Sequence, residues 1–255
     1  MRRWLLTLAL VPVIACAGDD GYVRVPGGEF RSALKYEDSD GRVVVASFEL
    51  MRRPVTNAEF LAFVNAHPEW RRDRVAKVFA EASYLRDWAS ADQLGTQARP
   101  SQPVVNVSWF AADAYCQAQG ARLPTWSEWE YVAAADETRT DARADPAWRE
   151  NILGWYARPS NAPLAAVGKS PANVYGVQDM HGMVWEWVED YSSLLVSGDS
   201  REQKSADVLK FCGAGAIAMD DRENYAVLMR VAMLSSLEAS NSTSNLGFRC
   251  AKPLP

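Results

Sequence analysis

Four cysteines and two histidines are the side chains of this sequence best suited to hold a soft metal or attack a bond: Cys16, Cys116, Cys212 and Cys250, with His67 and His181. A thiolate serves as a nucleophile or as a soft-metal ligand. Cys212 lies in Lys210-Phe211-Cys212-Gly213-Ala214-Gly215-Ala216, among small residues. Paired with His181 it would make a nucleophile and base, but no third group in the sequence is placed to orient them. Met219, Met229 and Met233 could add thioethers to a site built on Cys212. Methionines at such spacing more commonly fill a core, and a thiol beside glycines reads as a small space-filling group. Two histidines cannot build a three-histidine iron site, and no HExxH or CxxC pattern points to zinc. His67, before Pro68 at the end of an apolar run, reads as a helix-end residue.

The elements that would position these groups belong to one sizeable globular domain. The chain has 255 residues, 48% hydrophobic and 23% charged, enough to bury a real core. A net charge of −5 argues against a nucleic-acid partner and leaves a peptide, protein, glycan or small molecule.

The N-terminus carries Arg2 and Arg3, then an apolar run from Trp4 to Ile14, the pattern of an export signal and too short for a comfortable membrane span. Val13-Ile14-Ala15-Cys16 matches a bacterial lipobox, in which Cys16 is acylated and becomes the mature N-terminus. Ala15-Cys16-Ala17 also satisfies the A-x-A rule of ordinary signal removal. The lipobox reading is preferred. It predicts a signal over residues 1–15, a tether over 16–21 and a domain over 22–253, held at the cell envelope as a periplasm-facing or outer-membrane lipoprotein.

Residues 22–30 alternate and then break at Gly27-Gly28, which predicts a strand running into a turn, and residues 43–51 predict a second strand. Thr56-Asn57-Ala58-Glu59 is a capping box opening a helix that buries Phe60, Leu61, Phe63 and Val64 and stops near Pro68. A second helix follows Ser108, with Trp109, Ala112 and Cys116 on one face and Gly120 at its C-terminal cap. A third follows the capping box Thr125-Trp126-Ser127-Glu128 and carries Trp129, Val132 and Ala133. Residues 151–173 read as a long loop and 192–205 as a polar surface segment. The expected class is α+β with much irregular structure.

Five stretches occur in an order that resembles the sulfatase-modifying-factor family, whose founding members are the formylglycine-generating enzymes: VPGGEF, RPVTNAEFLAFV, PVVNVSWFAADAYCQAQGARLPTWSEWEY, NVYGVQDMHGMVWEWVED and SNLGFRC. The resemblance implies the family's variation of the C-type-lectin-like fold and a disulfide between Cys116 and Cys250, which an exported protein can keep. It also implies a calcium ion held by the side chains of Asp179 and Glu186 and the carbonyls of Gly182 and Val184, although Met183 stands where the family usually has asparagine.

The resemblance implies an enzyme that oxidises a substrate cysteine with copper(I) on two cysteines; counted back from SNLGFRC these positions fall near Asp221 and Ala226, and counted forward from Lys210 the first falls near Ala216. No cysteine occurs between residues 213 and 249, so copper is not expected. With Cys16 lipidated and Cys116 bonded to Cys250, Cys212 is the remaining thiol. The resulting expectation is a binding or accessory module displaying the segment 219–243, where Asp220, Asp221, Arg222, Glu223, Asn224 and Tyr225 form a polar, aromatic-containing loop. The alternative is an oxidoreductase with an altered site, so whether the protein is an enzyme stays open at this point.

Overall fold

The computed structural model describes residues 21–34, 41–157, 163–194 and 225–254. Within them the strands are short. Strands β1 (Tyr22–Val25), β2 (Gly28–Arg31), β3 (Arg42–Val45) and β4 (Phe48–Met51) each have four residues. Each of the two expected strands is therefore a pair, interrupted at Pro26-Gly27 and at Ala46-Ser47. A Cβ on Gly27 would meet the Val45 carbonyl at 2.4 Å, so the two breaks pack directly against each other and only glycine fits.

After these come β5 (Trp185–Glu186), β6 (Leu246–Gly247) and β7 (Ala251–Pro253). Strand β4 is central to an antiparallel sheet in the order β1-β4-β7, with Leu50 opposite both Val23 and Ala251. Strands β2 and β3 form an antiparallel pair, and β5 lies parallel to β6 with Glu186 opposite Gly247.

The first three helices follow the local signals. Helix α1 (Asn57–Ala66) opens on the reciprocal Thr56–Glu59 capping box and ends at His67, its C-cap residue. Helix α2 (Trp109–Ala118) is capped by Ser108, and Gly120 just beyond it takes φ +64°, a conformation that favours glycine. Helix α3 (Trp126–Ala133) opens on the Thr125–Glu128 box.

The second half is more helical than its composition suggested. Helix α4 (Pro146–Tyr156) occupies the start of the expected 151–173 loop, with Asp145 capping and Pro146 in its first turn. Helix α5 (Tyr225–Ser235) lies inside the segment read as a 219–243 loop, so Tyr225 opens a helix rather than decorating a loop.

The core gathers around Phe60, whose ring meets Phe63, Trp88, Tyr115 and Phe248 at centroid distances of 5.4 to 6.3 Å. These rings join α1, α2 and the C-terminal segment, and the disulfide Cys116–Cys250 closes beside them with both residues fully buried. The bond spans 134 residues and ties α2 to the segment leading into β7. Replacing both cysteines by alanine is expected to destabilise the domain by about 2 to 5 kcal/mol. Urea denaturation of the double variant against the parent checks this, and an unchanged midpoint would show that packing alone holds the two segments.

Candidate functional site

The most heavily used polar group among the described residues is the guanidinium of Arg249, fully buried between Phe248 and the bonded Cys250. Its Nε donates to Glu186 Oε2 at 2.9 Å and its Nη2 to Glu186 Oε1 at 2.8 Å, a bidentate pair with no exposure on either side chain. Nη1 also donates to the Met51 carbonyl at 3.2 Å and Nη2 to the Gln178 carbonyl at 3.1 Å. One side chain thus joins the end of β4, the loop before β5, and β5 itself.

A second arginine stands on the other side of Glu186. Arg230, on α5 and buried, donates to the Glu186 backbone carbonyl and stacks its guanidinium 3.5 Å from the centroid of Trp129. Trp129, on α3, donates its indole N–H to Glu186 Oε2 at 2.9 Å. Sequence reasoning singled out Glu186 but neither arginine. The available signal was a cationic residue between an apolar residue and a disulfide cysteine, where burial demands a partner.

Beside this cluster lies His181, with the rings of Trp129, Trp148 and Trp155 at 5.6 to 6.2 Å. Its Nε2 lies 2.7 Å from the Ala133 carbonyl, so Nε2 carries the proton and Nδ1 keeps its lone pair. Nδ1 is buried and has no hydrogen-bond partner among the described residues. Gly182, at φ +77°, is covered by Trp155, whose ring atoms would lie 2.7 Å from an added Cβ. Trp148 and Trp155 therefore fix α4 over the His181-Gly182 turn. The orienting third group that a Cys212–His181 pair would need is not supplied by these neighbours, and Cys212 itself lies outside the described residues, as do Cys16, Asp220, Asp221, Arg222 and Asn224.

The calcium ligand set can be tested against this geometry. Both carboxylate oxygens of Glu186 are taken by Arg249 and Trp129. Asp179, at φ 58°, accepts from the Gly168 N–H through Oδ2, and its own N–H donates to Ser170 Oγ at 2.9 Å. A dication placed on Glu186 would have to displace a guanidinium while another lies against the same residue, so these side chains do not fit calcium there. The physical reason for the departure is that Arg249 already supplies the neutralising charge. Of the thioether candidates, Met229 is exposed, Met233 is partly buried against the core, and Met219 lies outside the described residues.

With the geometry established, comparison with known proteins gives a consistent result. The sulfatase-modifying factor enzyme 1-like domain matches residues 14–254. The chain belongs to that family. A formylglycine-generating enzyme of Streptomyces coelicolor is 30% identical, over 91% of this chain and 88% of that protein. The mouse protein named inactive C-alpha-formylglycine-generating enzyme 2 is 27% identical, over 97% of this chain and 90% of its own length. The solved structure of PvdO from Pseudomonas aeruginosa superposes with a TM-score of 0.51 at 20% identity, covering 91% of this chain and 94% of the other. The expected α+β fold with short strands and much irregular structure is therefore the family's fold.

Two consequences of the cluster are measurable. Arg249→Met leaves the Glu186 carboxylate buried without its cation and is expected to cost about 3 to 5 kcal/mol, while adding Glu186→Gln recovers part of that loss. Thermal unfolding of the single and double variants reads this, and the same measurement with calcium or a chelator is expected to leave the parent's midpoint unmoved.

Burial, aided by Arg230 and opposed by the Ala133 carbonyl, lowers the His181 pKa from 6.5 to about 4. Between those values the unfolded chain binds more protons, so stability is full above about pH 6.5 and falls as pH drops toward 4. The loss is on the order of 3 kcal/mol. Denaturation of His181→Asn across that window is expected to show a shallower decline than the parent, and parallel curves would show that other groups carry the acid sensitivity.

Proposed function

We propose that this protein is a family member that has kept the scaffold and given up copper-dependent cysteine oxidation, acting as an exported, lipid-anchored binding or accessory module. The observation that carries the reading is the disposition of its thiols. Copper(I) in the family's enzymes requires two thiolates in one place. Here Cys116 and Cys250 are bonded to each other, Cys16 follows the apolar N-terminal run, and no cysteine occurs from residue 213 to 249. Asp221 and Ala226, near the two family positions, offer a carboxylate and a methyl group. The similarity to a relative named inactive supports the same view.

In this reading Cys16 carries the lipid, Cys212 fills space, and the residues Asp220, Asp221, Arg222, Asn224 and Tyr225 contact a peptide, protein or glycan. The similarity to a formylglycine-generating enzyme at 30% identity favours a second reading, an oxidoreductase with a rebuilt site. One assay separates the two: copper-loaded full-length protein, oxygen, a reductant and a sulfatase-type cysteine peptide, followed by mass spectrometry. The expected outcome is no formylglycine. Conversion that disappears in Cys212→Ser would overturn the proposal and assign the chemistry to that thiol.

A further inference from the structure

Among the exposed large apolar side chains of the described residues, only Val78 and Phe79 are neighbours in sequence, at 68% and 41% exposure. They lie in a turned segment. Arg74 and Val75 donate their N–H groups to the Arg71 carbonyl at 2.9 and 2.8 Å, and Phe79 donates to Ala76 at 2.8 Å. The base of the segment is fixed. Arg72 donates to the carbonyls of Leu85 and Trp88 at 3.0 and 2.9 Å, Ala80 is buried, and the Glu81 N–H bonds Ser240 at 3.0 Å. The ring of Phe79 rests edge-on against Phe110 at 5.2 Å and near Trp70 at 6.0 Å, which holds it outward rather than letting it fold into the core.

Charge is distributed unusually around this segment. The chain as a whole is at −5, yet residues 71–79 contain Arg71, Arg72, Arg74 and Lys77 against the single acid Asp73. Arg71 is paired with Asp73 and Asp92, and Arg72 is used internally, which leaves exposed Arg74 and Lys77 just before the apolar pair. Two apolar side chains are too small an area to seat a stable protein partner, which needs about 800 Å² on each side. They suit a bilayer interface, where apolar tips enter the acyl boundary while cationic stems reach to the phosphates. No helix among the described residues is long and apolar enough to cross a membrane, so the contact would be peripheral.

We propose that the turn at residues 74–79 is a contact site for an anionic phospholipid surface, with Val78 and Phe79 entering the interface and Arg74 and Lys77 pairing with lipid phosphates. This is independent of whether the protein oxidises anything and of whether Cys16 is acylated. A single acyl chain gives only marginal anchoring, so a basic and apolar second contact has a physical role if the lipid is present.

The test uses the full chain with vesicles of phosphatidylcholine alone or of equal parts phosphatidylcholine and phosphatidylglycerol. Hydrogen exchange at residues 74–79 is expected to slow on the mixed vesicles, a readout confined to the turn and so insensitive to the N-terminal apolar run. In co-sedimentation, Arg74→Gln with Lys77→Gln is expected to lower affinity for the mixed vesicles about 25-fold, near five-fold per cation, with little change on phosphatidylcholine. Val78→Ser with Phe79→Ser is expected to weaken binding to both. An unprotected turn, or variant pairs that bind like the parent, overturns the proposal; a surface reserved for a protein partner would give that result.

Discussion

The Arg249 guanidinium is buried where the sheet, the loop before β5 and the C-terminal segment converge, and it can stay there only because every direction in which it donates is met by an oxygen. Removing a charge from water costs several kcal/mol, which Glu186 and the carbonyls of Met51 and Gln178 must offset. That requirement fixes several other features. Glu186 has to be fully buried, and the indole of Trp129 has to point its N–H at the same carboxylate. Cys250, next in the chain, then lies within reach of Cys116. A network satisfied at all its members is rigid in a way that an equally buried cluster of leucines would not be.

Arg230 adds the other half of this arrangement. It comes from α5, the element that leads out of the stretch where the family's oxidising cysteines would fall, and it rests on Trp129 and on the backbone of Glu186. The electrostatics at Glu186 are therefore set by cations supplied from the protein itself. His181 registers the same field: a buried imidazole near Arg230 resists protonation, and its turn is capped by tryptophans of α4.

How far this was legible in the sequence depended on the range of each interaction. Helices α1 and α3 follow from capping boxes closed within four residues, Thr56–Glu59 and Thr125–Glu128, and such local chemistry reads directly. Helix α4 carried a comparable signal, Asp145-Pro146 followed by Trp148, Ile152 and Trp155 at helical spacing, but the Gly, Asn and Pro that follow it concealed its start. Helix α5 was hidden by the acidic stretch before it. The role of Arg249 could not be read locally, since its partners lie 63 to 198 residues away. The Cys116–Cys250 bond was reached through family resemblance, while the arginine that occupies Glu186 is set by contacts distant in sequence.

A fold with so few strands must satisfy its backbone by other means, and here polar side chains take the place of sheet ladders. Asn57 donates to the carbonyls of Arg99, Gln102 and Pro103 and accepts from the indole of Trp88. Asn173 accepts from the N–H groups of Tyr175 and Val177, and Gln178 donates to Gly168 and Ser170. Each of these side chains is a structural part, so substitution at the buried polar positions is costly. A scaffold held together by contacts of this kind can keep its fold while the chemistry placed on it changes.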